Sequence, residues 1–413
     1  MPVETDRSER IAPKTLEQTG VIILNHNGRA HLEAGLPSVL ALAGLAGPEA
    51  VMVADNGSQD GSMEWLAGRY PRVRRLFLGS NLGFAEGNNR AAAAFADAAG
   101  LLFLNNDTRV SPGLLLELHA VVAGHAPGSV CCGARLLDWE ARRIDFDGGG
   151  ASLTGHGHAL GVGRRPGSEV QADRPTLFAC GAALFVPRAL FLELGGFAAG
   201  YFAYYEDVDL GWRLWLAGHQ VRHVPQATVL HRHHGTAAAL STGRRARLHE
   251  RNALATLVRN LADDALEETL PAALSLASLR AAPRPMAQAL ALIRAAQERA
   301  PATELPLPRG DWTGWAPLAP LGLDWPELAG QRTQVQRLRH RPDSEILPML
   351  GLPYAPVPGT ATAEVWLREA VDCFGLERFF GVLPPPSLGA RLVGRRILRA
   401  GSARDDHREA TAS

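Results

Sequence analysis

The sequence predicts an α/β fold: a mostly parallel sheet flanked by helices, followed by a mainly helical C-terminal region. Two observations carry this. From Gly20 to about Leu136, short apolar runs alternate with helix-compatible stretches, the rhythm of a parallel sheet covered by helices. Each apolar run also ends in Asn or Asp, or meets one within three residues, and ligands of such sheets sit beyond the C-terminal ends of the strands.

The expected strands are Val21–Leu24, before Asn25-His26-Asn27-Gly28; Ala50–Ala54, before Asp55-Asn56-Gly57-Ser58; Val73–Leu78, before Gly79-Ser80-Asn81; and Leu101–Leu104, before Asn105-Asn106-Asp107. Helices are expected at about Ala30–Leu45, Ser62–Arg69, Glu86–Ala99 and Pro112–Gly124. Leu137 to Arg174 is rich in Gly, Arg and Asp and reads as a loop or hairpin over the site. Regular patterning returns at Leu177–Val186 and in a helix from Arg188 to Leu194. An acidic helix runs from about Glu206 to Ala217 and stops at Gly218. Two strands follow, Gln220–Val224 and Ala227–His231. Arg244 to Leu261 reads as an amphipathic helix, Leu266 to Arg299 as helices broken by prolines, and Pro301 to Pro358 as an irregular Pro/Trp-rich tract.

The 413 residues have a net charge of +0 and are 46% apolar. No global field points to nucleic acid or to an anionic membrane. Cys131, Cys132, Cys180 and Cys373 form no CxxC pair, so neither a zinc site nor a disulfide framework is expected, and a reducing cytoplasm is. Met1 to Gln18 lacks an apolar leader core, and no run reaches the length of a membrane span.

The candidate chemistry lies in five places. Tyr204-Tyr205-Glu206-Asp207-Val208-Asp209 puts three carboxylates at a helix start, where partial positive charge favours their ionised form and lets one accept a proton from a hydroxyl. Ordinary N-terminal acidity explains the same pattern. Asp55 suits a base N–H or ribose hydroxyls, or a simple turn. Asn81-Leu82-Gly83-Phe84-Ala85-Glu86-Gly87-Asn88-Asn89 leads into a helix whose N-terminus suits a phosphate or a sugar, or is a tight loop. Asp107, after Asn105 and Asn106, suits Mg²⁺ or Mn²⁺ shared with a diphosphate, or a helix cap. His231-Arg232-His233-His234 offers an imidazole to that metal or a cation to a leaving diphosphate, or is a surface cluster.

In this order and spacing these segments, with Cys180-Gly-Ala-Ala-Leu-Phe185 and Gly195-Gly-Phe197, resemble the family 2 inverting glycosyltransferases, especially bacterial rhamnosyltransferase-like members, over roughly Thr19 to Thr236. The resemblance implies a GT-A fold and a nucleotide-diphosphate sugar donor. It implies that Asn25, Asp55, Asn81, Gly83, Phe84, Gly87, Asn88, Asn105, Asn106 and Arg213 line the donor site, with Trp212 and Arg213 facing acceptor or phosphate. Asp107 matches the last Asp of the family's DxD metal motif, Asn105 departs from its first position, and His231 looks like the further metal ligand. Asp207 matches the base, with Glu206 second. The implied cofactor is a divalent cation. The implied donor is dTDP-rhamnose, with UDP sugars next. The implied acceptor is a glycan or lipid-linked glycan.

The chain then divides into a flexible N-terminus at 1–18, a catalytic domain at 19–240, a helical and Pro/Trp-rich region at 241–400 and a disordered tail at 401–413. The expected location is the cytoplasm, with peripheral contact at the inner face of the membrane. Arg244, Arg245, Arg247 and Arg251 with Leu248 and Leu254 suit a bilayer surface, or a packed helix with a solvated basic face. Rival functions are a non-catalytic nucleotide-sugar or carbohydrate-binding protein on the same scaffold and a sugar nucleotidyltransferase.

Overall fold

A computed structural model describes residues 18–152, 154–167, 171–232, 242–281 and 325–349. His233, His234, Cys373, most of the Pro/Trp-rich tract and the C-terminal tail lie outside the described residues. The chain forms two compact units.

The first unit is built on β1 (Thr19–Asn25), β2 (Val51–Asp55), β3 (Arg74–Phe77) and β4 (Gly100–Asn105). They run parallel in the order β3-β2-β1-β4. The apolar runs of β1, β2 and β4 are what burial on both faces demands, and every residue of β2 is buried, whereas β3 at the sheet edge has no buried residue. Register sets Asn25 beside Asp55 and Leu24 beside Asn105, so three polar strand ends share one edge. The helices α1 (Arg29–Leu40), α2 (Ser62–Arg69), α3 (Gly83–Ala94) and α4 (Leu114–Ala123) follow these strands as expected, with ends shifted by a few residues.

The sheet continues as a mixed one. β5 (Thr108–Val110), β6 (Val130–Asp138), β7 (Ile144–Phe146), β10 (Arg174–Pro175), β11 (Ala183–Pro187) and β12 (Gln220–His231) complete it, and β8 (Gly149–Ala151) with β9 (Gly157–Ala159) forms a separate hairpin. β11 runs antiparallel between β4 and β6, and β12 lies parallel to β6. The two expected strands at Gln220–Val224 and Ala227–His231 are one strand whose register shifts between Val224 and Thr228. Pro225, with no N–H for the ladder, sits in that irregularity. The regular stretch expected at Leu177–Val186 is strand only from Ala183, because the Gly181 N–H bonds Asp207 instead of a neighbouring strand. α5 (Arg188–Glu193) and α6 (Glu206–Leu216) close the region, and Gly218, with φ 88°, ends α6 as expected. Residues 335–349, with α10 (Asp343–Ile346), also belong to this unit: the His340 N–H bonds Leu216 O, and Arg341 stacks over Trp215.

The second unit holds α7 (Thr242–Asn260), α8 (Asp263–Ala281) and much of α9 (Trp325–Arg337). Arg332 donates to Leu261 O at 2.6 Å and pairs with Asp263. Leu248 and Leu254 are buried, which removes the apolar half of the bilayer expectation for α7. No helix among the described residues is long and apolar enough to cross a membrane.

Candidate active site

The polar strand ends are held by a buried amide network. Asn25, fully buried, donates to the hydroxyls of Ser58 and Ser62 at 3.1 and 3.0 Å and accepts from Asn106 Nδ2 at 2.9 Å. Gly28 has no room for a side chain, since a Cβ would fall 2.0 Å from Asn106 Nδ2 and 2.5 Å from Asn25 Oδ1. Asp55 Oδ1 accepts the Ser58 N–H at 3.1 Å. Asn56, missed in the sequence, ties the next loop down: it donates to Asn81 Oδ1 and Gly83 O and accepts the Leu82 N–H.

β5 pairs antiparallel with the end of β12, placing Thr108 opposite His231, and the Arg232 N–H bonds Asp107 O at 3.1 Å. This pairing brings together residues more than 120 positions apart. His231 Nε2 lies 3.4 Å from Asp107 Oδ1, and Asn105 Nδ2 lies 3.5 Å from the same ring nitrogen. On the other side His231 Nδ1 lies 2.9 Å from Asp145 Oδ2. Sequence reasoning missed Asp145, having read its segment as a loop or hairpin without singling out a residue in it. The alternation Ile144-Asp145-Phe146, with both apolar residues buried, was the available signal. Burial works against charge on His231, but its bonds to Asp107 and Asp145 outweigh that and raise its pKa to about 9. Burial likewise opposes ionisation of Asp107, yet His231 and the charge of His31 hold its carboxyl below the usual range.

Asp107 and His231 converge as one hard oxygen and one imidazole nitrogen. Asp145 is on the far side of the ring, and no group of three His, Cys, Asp or Glu among the described residues could hold a metal by itself. This donor pair fits a divalent cation whose remaining ligands come from a bound diphosphate.

The third feature is α6. All its residues are buried except Asp207, which is half-buried. The backbone leading into it is held in unusual conformations, with Phe202, Tyr204 and Tyr205 at φ 64°, 70° and 72°. The Gly181 N–H donates to Asp207 Oδ2 at 3.0 Å and the Val208 N–H to Oδ1 at 2.8 Å. Gly181 lies just before β11, whose Ala183 faces Leu104, so Asp207 stands at the edge that holds Asn105. Burial raises the Asp207 carboxyl above its ordinary value, opposed by those two N–H groups. Burial and the neighbouring Asp207 charge push Glu206 up further, and its Oε2 has no hydrogen-bond partner. Both carboxyls are thus held above their ordinary range, Glu206 by burial and the Asp207 charge, Asp207 by burial.

Several expectations are corrected. Arg213 is not at the edge: it is 1% exposed, pairs with Asp209 at 2.8 Å and donates to Leu194 O and Gly196 O, both at 2.7 Å. Trp212 is fully buried. Both turn into the core because α6 is enclosed. The N-terminus of α3 does not face a phosphate, since the Phe84 and Ala85 N–H groups bond Phe202 O. Gly83 and Gly87 serve packing, because a Cβ would meet Phe202 O at 2.4 Å and the Leu24 side chain at 2.7 Å respectively. The Phe84 ring packs against Phe197 and beside Gly181. Asn88 is 1% exposed and donates to Phe84 O. Asn25 and Asn106 support the edge from below. Asp55, Asn81 and Asn105 remain at it, with Asn81 exposed and Asn105 half-buried.

The glycosyl transferase family 2 model matches residues 20–147. An N-acetylglucosaminyl-diphospho-decaprenol L-rhamnosyltransferase of Mycobacterium tuberculosis is 34% identical over 245 residues, covering 54% of this chain and 77% of that protein. Rhamnosyltransferase WbbL of Escherichia coli is 29% identical over 170 residues, covering 38% of this chain and 63% of its own. The crystal structure of GalNAc-T7 with UDP, GalNAc and Mn²⁺ superposes with a TM-score of 0.51 at 15% identity, over 64% of this chain and 51% of that one, a likeness of fold, the GT-A arrangement. With a mixed sheet of that arrangement, a carboxylate-bearing edge and a relative matched over most of its length, the chain belongs to glycosyl transferase family 2 and is a glycosyltransferase.

Proposed function

We propose that the chain transfers rhamnose or a similar hexose from a nucleotide-diphosphate donor to a hydroxyl of a lipid-linked glycan, with inversion at the anomeric carbon. The observation that carries this is the position of Asp207: it is the one residue of α6 that is not buried, and it stands at the edge shared by Asp107, His231 and Asp55. The Mycobacterium relative is named for a diphospho-decaprenol acceptor and an L-rhamnosyl product, which favours dTDP-rhamnose over UDP sugars and a lipid diphosphate over a free glycan.

In this reading Asp55 holds the base or ribose. Asp107 and His231 would hold a divalent cation, which would supply Lewis-acid stabilisation to the leaving diphosphate. Asp145 holds His231 by Nδ1, so that Nε2 is turned toward Asp107, where the cation would be held. Asp207, fixed by the Gly181 and Val208 N–H groups, accepts the proton of the acceptor hydroxyl as its oxygen attacks the anomeric carbon. The bond to the nucleoside diphosphate breaks on the opposite face, and the diphosphate leaves with the electron pair. Residues 19–240 carry this chemistry.

The test is a thermal-shift screen of nucleoside diphosphates and nucleotide sugars with and without Mn²⁺, followed by product analysis. A cation-dependent shift with one nucleotide, and transfer to a polyprenyl-diphosphate glycan, is expected. A folded protein that no nucleotide shifts would overturn the donor assignment.

A further inference from the structure

Positive charge gathers beside the Asp107–His231 centre. Arg109 on β5 and Arg232 after β12 place their guanidinium carbons 5.0 and 4.4 Å from the ring centroid of Trp139. Both arginines are exposed, and neither has a carboxylate partner among the described residues. Exposed arginines elsewhere in this unit are often paired: Arg29 with Glu33, Arg72 with Glu49, Arg90 with Glu86.

The surface continues through the β6–β7 turn. Asp138 Oδ1 accepts the Arg142 N–H at 2.6 Å, and Ala141 takes φ 55°, leaving Arg142 and Arg143 exposed. Arg143 donates to Gly163 O at 2.8 Å, and the Ile144 N–H bonds Arg164 O at 2.8 Å. Arg164 and Arg165 are thereby seated next to Arg143, and both are exposed. At the tip of this second turn Val162 is 60% exposed. Asp138 and Glu140 are the acidic residues in these two turns and cannot offset six guanidinium groups.

The composition of the face selects its partner. A soluble anion needs the arginines but gains nothing from an exposed valine at a turn tip. A bilayer interface uses every part: guanidinium groups meet anionic headgroups, an aromatic ring lies at headgroup level, and an apolar tip enters the acyl boundary. The Arg232 N–H bonds Asp107 O, so a bilayer on this face lies beside the catalytic edge. We propose that this face, centred on Trp139 and tipped by Val162, docks on an anionic phospholipid bilayer. Its chemistry stands independently of the lipid-linked acceptor proposed above, which supplies only its purpose.

The experiment is co-sedimentation of the full chain with phosphatidylcholine vesicles, with and without phosphatidylglycerol, across a salt series. Binding to the phosphatidylglycerol vesicles alone is expected, weakening as salt screens the charges. The double variant R164E/R165E is expected to lose about tenfold or more in affinity, V162D is expected to weaken binding further, and the charge-matched control R69E/R75E is expected to bind as the parent does. Donor-induced thermal shifts should be the same in all of these, which separates lost docking from lost folding. Equal binding to both vesicle types, no binding to either, or undiminished binding by R164E/R165E would each overturn the assignment. Transfer to a water-soluble acceptor analogue by R164E/R165E keeps a failure of docking distinct from a failure of the transferase reading.

Discussion

Asp145 holds His231: its Oδ2 lies 2.9 Å from Nδ1, leaving Nε2 turned toward Asp107 at 3.4 Å. The contact exists because β7 pairs with β6 and β6 with β12, which sets Asp138 beside His231 and carries Asp145 back toward the ring. Carboxylates that orient a metal-binding imidazole typically change metal affinity by about 10–100-fold. Asp145→Asn is therefore expected to raise the Mn²⁺ concentration needed for donor binding by that order, with the fold intact. A Mn²⁺ titration of donor binding measures this, and an unchanged midpoint removes Asp145 from the role.

The same pair gives a pH signature. His231 is raised from 6.5 to about 9 in the folded chain. A raised imidazole stabilises the fold fully below its unfolded value and loses that contribution as pH climbs through the folded one. Metal-free protein is expected to lose stability between about pH 6.5 and 9, and His231→Gln should flatten that limb. Cation uptake in this window should also release a proton, readable in weakly buffered solution. Identical pH–stability curves for the two proteins would refute the assignment.

Asp207 and Glu206 are adjacent but unlike. Asp207→Asn is expected to lower kcat by about 10²–10⁴ while donor binding changes little. Glu206 is buried and its carboxyl is pushed above the ordinary range, so Glu206→Gln, which mimics a neutral carboxyl, should stay within a few fold of the parent. The acid limb of kcat should lie above the ordinary aspartate range, since burial raises Asp207. Full transfer by Asp207→Asn in a direct product assay would move the base elsewhere.

Arg213 tests the correction made above. Its guanidinium is enclosed with Asp209 and two carbonyls. Removing one partner of a buried pair typically costs about 3–5 kcal/mol, so Arg213→Ala should fail by unfolding. Denaturant melts are expected to show the loss, with the donor KM of any surviving folded fraction unchanged. A stable variant with a raised donor KM would return Arg213 to the donor site.

Gly28→Ala probes the amide network. The added methyl would meet Asn106 and Asn25 at impossible distances, and overpacking of this kind costs about 1–3 kcal/mol. A lowered melting temperature with weaker donor binding is expected, because Asn106 immediately precedes Asp107. Wild-type values for both would show that the network adjusts freely.

By itself the sequence determined the alternating strands and helices, the polar ends of β1, β2 and β4, the start of α6 and its stop at Gly218. These features are local: apolar run length, turn residues and helix-end chemistry act on neighbours in the chain. Asp107, Asp207 and His231 stand next to recognisable strand ends or a helix start, and it was the resemblance to the family that singled them out as candidates. Only the tertiary structure decided which polar residues face outward. Asn25 and Asn106 at strand ends, Asn88 on α3 and Arg213 on α6 look as available in sequence as Asn81 does, but packing closes them against protein partners. Asp145 was hidden for the converse reason. The alternation Ile144-Asp145-Phe146 spans only three residues, too few to stand out from its Gly- and Arg-rich surroundings, and the partner of Asp145 lies 86 positions away. Burial and long-range pairing depend on which surfaces meet, and no local property of the chain records that.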